Sequence, residues 1–107
     1  MRRRLAVLAG AAAIAATGVF VSAGPASAKE TDYRQNGANI RASASINSAI
    51  VGKGYIGQGA STECAKFGPG AGGNEDYWIR HVNKATGVRG FTVGANIAGV
   101  INDLPTC

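Results

Sequence analysis

Few side chains in this sequence could take part in catalysis or bind a metal ion. The chain has one histidine, His81, and two cysteines, Cys64 and Cys107. A protein metal site needs three or four ligands, and a cysteine paired with His81 would be a nucleophile only as a free thiol. Glu75 and Asp76 are adjacent and need not converge as an acid–base pair. We therefore predict that the protein is not an enzyme and has no metal and no cofactor.

The aromatic side chains are better candidates for a binding site. Tyr77 and Trp78 lie in a strand-like stretch with Arg80, which alternation places on the same strand face as Trp78. Tyr55 lies in a glycine-rich segment. Rigid aromatic rings supply contact area at low entropic cost. We predict ligand binding by Trp78, Tyr77, Tyr55 and Arg80. The alternative is that Trp78 and Tyr55 close the core of a domain with few large residues.

The first 28 residues have the pattern of a secretory signal peptide. Arg2 to Arg4 form a positive start, residues 5–21 are mostly apolar, and Ala26-Ser27-Ala28 is a cleavage site of small residues. The alternative is a retained membrane helix, for which the run has the minimum length. We predict cleavage after Ala28, no stable membrane anchor and a secreted domain. The choice between the general and the twin-arginine export route stays open.

The charge of the mature chain is close to balanced. Three of the eleven Lys and Arg residues lie before Lys29, which leaves eight against six acidic residues. A nucleic-acid site would need the basic residues clustered on one face, and along the sequence they are scattered. We therefore predict no nucleic-acid partner. The basic residues are Lys29, Arg34, Arg41, Lys53, Lys66, Arg80, Lys84 and Arg89.

The cysteines indicate a disulfide. A small secreted domain with an even number of cysteines is usually cross-linked, and a Cys64–Cys107 bond would contribute at most about 4 kcal/mol by the chain-entropy estimate. A bond between two chains is the alternative, because Cys107 is the last residue. We predict the bond within one chain and a monomer.

Hydrophobic alternation predicts an all-β domain of about five short strands. Residues 38–45 alternate apolar and polar, and residues 77–82 are rich in residues that favour strands. Four glycines in residues 52–59 exclude a helix there, and residues 68–74 are typical of a loop. We divide the chain into a signal peptide (1–28), an N-terminal arm (29–37) and a domain with a disulfide-linked tail (38–107).

Several short motifs resemble the bacterial SH3 (SH3b) domain. They cover about residues 38–97 and occur in the order and spacing of that family. The matching residues are Asn39 and Arg41 of the N-x-R strand start, Gly52 of the turn, the segment 54–58, Trp78, and the closing hairpin 87–92. The resemblance implies a small SH3-like barrel, found in secreted and wall-associated proteins, that often binds peptide parts of bacterial cell walls.

The sequence departs from the family pattern at three places. Ser43-Ala44 stands where the family often has Gly-Pro, and Asn96 stands where it has a closing tyrosine. His81 stands where an inward aliphatic residue is usual, and we expect it to be partly buried and neutral. The resemblance implies a shallow binding groove lined by aromatic residues, and the missing tyrosine removes one of them.

Two functions fit these patterns. The first is a secreted stand-alone binding module for cell-wall peptide or another extracellular peptide. The second is a secreted effector, inhibitor or structural protein that uses the barrel as a scaffold and does not bind walls. The partner would be peptidoglycan peptide in the first case and an extracellular protein in the second.

Overall fold

The computed structural model describes residues 29–99 and 103–107, and the predicted signal peptide lies outside this range. Six β-strands and two short 3₁₀ turns make up its regular structure. The strands are β1 (Lys29–Thr31), β2 (Ala38–Arg41), β3 (Ile50–Gly54), β4 (Ala60–Pro69), β5 (Glu75–Asn83) and β6 (Arg89–Val93). The 3₁₀ turns are Ala71–Gly73 and Gly94–Asn96. None of the described residues belongs to a helix long and apolar enough to cross a membrane.

The six strands form one antiparallel sheet in the order β1-β4-β5-β6-β2-β3. The all-β class predicted from the sequence is confirmed. In its strand pairing the sheet is open, with β1 and β3 at its edges. The sixth strand is β1, which comes from residues 29–37, the segment expected to be an arm. It pairs with β4 from Lys29 opposite Thr62 to Thr31 opposite Ala60.

The two faces of the sheet differ because side chains alternate along each strand. In β5, Ile79, His81 and Asn83 are fully buried on one side, which we call the core face. Trp78 and Arg80 point to the opposite side, which we call the outer face. The main hydrophobic cluster consists of Tyr33, Ala38, Ile40, Ala60, Ala65, Ile79, Ile97 and Leu104.

The C-terminal tail completes the core and covers part of the edge of β4. Cys64 and Cys107 are bonded, with an S–S distance of 2.04 Å and a Cα–Cα distance of 4.9 Å, which confirms the predicted disulfide within one chain. Ala65 donates its N–H to the Pro105 carbonyl at 2.9 Å, and its own carbonyl accepts from the Cys107 N–H at 3.0 Å. The bond therefore holds Leu104 against the small core, where it is buried.

A turn stabilised by Asp32 joins the end of β1 to the segment between β3 and β4. The Asp32 carboxylate accepts N–H groups from Gly57 at 2.8 Å and Gly59 at 3.0 Å. Both glycines have positive φ angles, 97° and 83°, which other residues rarely adopt. These bonds, with that of the Gly57 N–H largest, lower the pKa of Asp32. The first strand is thereby fixed to the β3–β4 turn.

Candidate functional site

The outer face carries a groove whose floor includes Trp78. We call it the Trp78 groove, and its volume is about 160 Å³. Its lining residues are Gln35, Gly37, Ala38, Asn39, Arg41, Ile46, Trp78, Val93 and Asn96. The groove therefore brings together residues that are far apart in the sequence, from β2, β5, β6 and the turn after β6.

The loop of residues 42–49, which we call the covering loop, folds over the outer face beside Trp78. The loop is closed by the Ala42 N–H to Ala49 carbonyl bond at 2.8 Å, and the Ile46 N–H bonds the Pro69 carbonyl at 2.9 Å. The indole N–H of Trp78 donates to the Gly68 carbonyl at 3.2 Å. Only 2% of the Trp78 surface is exposed. The ring therefore shapes the floor of the groove and offers little surface for direct contact.

Gly68 is required for this close packing. A Cβ atom at this position would overlap the carbonyl oxygen of Ala44 in the covering loop. The loop and β4 can therefore approach only because residue 68 has no side chain. The sequence pattern Gly-Pro-Gly suggested only a loop at this point, and the approach to Ala44 carries no sequence signal that a pattern could detect.

Two of the polar residues that line the groove, Asn39 and Arg41, belong to the N-x-R motif. Asn39 accepts a hydrogen bond from the Lys53 ammonium group at 2.6 Å. Arg41 donates through Nη1 to the Ser48 carbonyl at 2.9 Å, which ties β2 to the covering loop. Both side chains lie on the outer face because they alternate with the buried Ala38 and Ile40. The motif thus supplies hydrogen-bonding groups beside an aromatic floor.

A second hollow lies on the other side of the covering loop. Its volume is about 490 Å³, and Ile46 lines both hollows. Glycines and polar residues form most of its wall, so it offers few anchoring side chains. Its lining residues are Ile46, Asn47, Pro69, Gly70, Gly72, Gly73, Asn74 and Glu75.

The four predicted binding residues do not form one patch. Trp78 and Arg80 share the outer face, as alternation predicts. Tyr77 points to the core side, where its ring packs against Phe67 at 5.2 Å between centroids. Tyr55 is exposed in the turn after β3. Tyr77 does not lie beside Trp78 on the outer face, because neighbouring residues of a strand point to opposite faces, and Tyr55 is not among the residues that line the groove.

Phe67 is an exposed aromatic residue that the sequence analysis did not select. It lies directly opposite Tyr77 in the β4–β5 pair. The strand pairing that places these two rings together depends on the bulge in β4, and a bulge is not visible in the hydrophobic pattern.

A buried acidic residue fixes two arginines on the outer face. The register of β4 and β5 shifts between Thr62 and Cys64, so Glu63 is the extra residue of a β-bulge. Its carboxylate accepts from Arg80 Nε at 2.9 Å and from Arg89 Nη2 at 2.7 Å. The Glu63 side chain is 7% exposed, whereas those of Arg80 and Arg89 are 42% and 63% exposed. The carboxylate therefore lies beneath the two guanidinium groups.

His81 belongs to the core. Its ring contacts Tyr33 edge-on at 5.5 Å between centroids. The Ile79 carbonyl lies 3.1 Å from Nδ1, and since a carbonyl only accepts, Nδ1 carries the proton. Burial lowers the pKa of His81, which favours the neutral ring. Burial likewise raises the pKa of Tyr33 to about 12.

The described residues offer no cluster of three or more potential metal ligands, and both cysteines are used in the disulfide. What the fold and the groove define is a small disulfide-linked β-sheet domain with an aromatic-floored groove and an arginine cluster on one face. No family model matches the chain, and neither a curated protein nor a solved structure gives a significant match.

Proposed function

We propose that this protein is a secreted stand-alone binding module with an SH3-like barrel, which holds a short cell-wall peptide in the Trp78 groove. The observation that carries the proposal is the convergence of motif positions in one groove. Asn39, Arg41 and Trp78 carry the SH3b resemblance and are separated by up to 39 positions along the chain, yet all three line the groove.

The SH3-like barrel is supported by contacts between the two ends of the sheet. Tyr33 follows β1 and packs so closely on Gly54, at the end of β3, that a Cβ atom there would overlap its ring. Asp32 holds the turn that follows β3. Since β1 and β3 are the edge strands, these contacts curl the sheet and bring its edges towards each other, as closure into a barrel requires.

Secretion is supported by the disulfide together with the leader pattern. Disulfides persist mainly in oxidising compartments outside the cytoplasm.

The chemistry of the groove suits a short peptide bound weakly. The amide of Asn39 and the guanidinium group of Arg41 in the groove wall can bond peptide carbonyls, and Val93 and Ile46 provide apolar contact above the buried indole of Trp78. The groove is smaller than the roughly 300–1,000 Å³ of typical small-molecule pockets. A groove of this size accepts one or two residues of a peptide. The affinity must therefore come from few contacts or from repeated sites on the bacterial cell wall.

Pelleting with purified cell walls tests the proposal. Val93→Phe should fill the groove without changing the charge, and we expect it to reduce the pelleted fraction. Tyr55→Ala is the matched control, because Tyr55 is exposed and does not line the groove. Thermal melts of both variants must first establish that they fold. If the wild type stays in the supernatant, wall binding is refuted and the scaffold function takes its place. If Val93→Phe pellets as the wild type does, the groove is not the contact.

A further inference from the structure

The basic residues that look scattered along the sequence gather on the outer face of the sheet. Alternation along the strands and the pairing between them place five basic residues on the outer face. They are Arg41, Lys53, Lys66, Arg80 and Arg89. The remaining lysines are neutralised elsewhere, because Lys29 pairs with Asp103 at 3.1 Å and Lys84 pairs with Glu30 at 2.5 Å. The outer face therefore has a positive charge that the near balance of the mature chain conceals.

Arg80 and Arg89 are oriented more firmly than surface arginines usually are. An exposed ion pair gains little because two long side chains must be held in one geometry. Here the carboxylate of Glu63 is buried and reaches arginines from two different strands. Each guanidinium group has five N–H donors, and the bonds to Glu63 use Arg80 Nε and Arg89 Nη2. Within residues 29–99 and 103–107, no other acceptor bonds these two groups.

Arg41 extends this cluster to the Trp78 groove. Phe91 lies opposite Arg41 on one side and opposite Arg80 on the other. Neighbouring strands are about 4.8 Å apart, so the backbones of the two arginines are separated by roughly 10 Å with the Phe91 ring between them. Since Arg41 also lines the groove, a ligand in the groove can reach the cluster.

We propose that Arg41, Arg80 and Arg89 form a carboxylate site at the end of the Trp78 groove, so that the peptide ligand is acidic. This rests on the proposed function for the presence of a peptide and adds its chemical class. Planar guanidinium groups bond a carboxylate through two parallel N–H groups. Glu63 orients Arg80 and Arg89 before the ligand arrives, which reduces the entropic cost of binding.

An acidic peptide fits this face better than an extended polyanion. Asp76 lies on the same face as Trp78 and Arg80, two residues before Trp78, and Glu75 lies beside the second hollow. These acids limit the positive field to one end of the face. A polymer with phosphates along its length would have to pass them, whereas a single carboxylate at the arginine cluster would not.

The test uses the protein from Lys29 to Cys107 with its disulfide intact. The probes are the acetylated tripeptide amide Gly-Glu-Gly and its neutral counterpart Gly-Gln-Gly. Binding is monitored by NMR through the Nε–H resonances of the arginines in ¹⁵N-labelled protein. We expect the acidic probe to shift the signals of Arg80 and Arg41 and to bind at least about tenfold more tightly than the neutral one. Arg80→Gln should remove this difference, whereas Lys84→Gln, which removes the same charge elsewhere, should retain it.

Glu63→Gln separates an oriented site from a simple positive patch. The substitution adds one positive charge, so general attraction predicts tighter binding of the acidic probe. Loss of arginine orientation predicts weaker binding, by about tenfold. Tighter binding in a variant that still gives a folded spectrum would overturn the proposal. So would equal binding of the two probes, or shifts caused by inorganic phosphate alone, which would indicate a phosphate polymer.

Failure of the carboxylate site and failure of wall binding give different results in these experiments. If walls pellet the protein but Arg80→Gln pellets equally and the two probes bind equally, the carboxylate site is wrong and wall binding stands. If the acidic probe binds as expected but walls do not pellet the protein, wall binding is wrong and the carboxylate site stands for another acidic peptide.

Discussion

Replacement of Gly90 by valine tests the closest approach between β6 and β2. An ideal Cβ atom at Gly90 would lie 2.5 Å from the Arg41 carbonyl oxygen and 2.7 Å from Ile40 Cγ2. Ordinary contact between such atoms needs about 3.5 Å or more, so β6 would have to move by roughly 1 Å. The obstructing oxygen belongs to the backbone, and Ile40 is fully buried, so neither can yield without disturbing the sheet.

The expected loss follows from this geometry. Overpacking of a dense interior costs about 1–3 kcal/mol, and valine adds two further methyl groups at the same point. We therefore expect Gly90→Val to lower the free energy of unfolding by more than about 2 kcal/mol. For a domain of this size that corresponds to a fall of at least about 8 °C in the melting temperature, measured by circular dichroism or calorimetry on the oxidised protein.

The smaller substitution Gly90→Ala already introduces the overlapping Cβ atom and should also destabilise the sheet, and Gly52→Ala is its matched control. Gly52 is also a strand glycine with an ordinary φ angle, but an ideal Cβ atom there would meet only a side chain, with a methyl group of Val88 at 3.0 Å. That side chain is half-buried and can adjust, and the loss of backbone freedom in the unfolded chain favours alanine by about 0.4–1 kcal/mol. We expect Gly52→Ala to stay within about 1 kcal/mol of the wild type. Equal melting temperatures for the two alanine variants, or an unchanged one for Gly90→Val, would refute the packing.

Three further predictions concern the rest of the molecule. Reduction of the disulfide should destabilise the domain by up to about 4 kcal/mol and release Leu104, and Cys64→Ser/Cys107→Ser should melt like the reduced wild type. Trp78→Ala should cost about 3 kcal/mol or more, so that an unchanged denaturation midpoint would contradict its burial under the covering loop. Burial lowers the pKa of His81, so its imidazole binds a proton more readily in the unfolded chain than in the folded one. The free energy of unfolding should therefore fall as the pH decreases from about 6.5 towards the folded pKa. His81→Leu should flatten this part of the pH profile.

The class of the fold could be predicted from the sequence because hydrophobic alternation is local. Ala38 and Ile40 alternate with Asn39 and Arg41, and the burial of β2 follows that pattern. The role of residues 29–37 could not be predicted in this way. Thr31 and Tyr33 are tied to residues near position 98 by long-range contacts, such as the Thr31 Oγ1–Ala98 carbonyl bond at 2.6 Å, and no local pattern encodes such a partner.

The candidate site was only partly accessible to sequence reasoning. The common face of Trp78 and Arg80 follows from alternation alone. The position of the Glu63 carboxylate, in contrast, does not follow from alternation along a regular strand. Only the bulge between Thr62 and Cys64 places it beneath Arg80 and Arg89, and a bulge depends on pairing between strands.

The main core is closed without the residues of the outer face, as the proposed binding role of that face requires. Large residues such as Tyr33, Ile40 and Ile79 fill the core face, and the tail adds Leu104 through the disulfide. The aromatic and basic residues of the outer face are therefore not needed to close the main core, and Trp78 is buried by a separate loop instead. That loop holds the groove walls at Arg41 and the groove floor at Trp78 in one arrangement. A preformed groove loses little conformational entropy on binding, so the proposed acidic peptide would need only a few contacts to bind with measurable affinity.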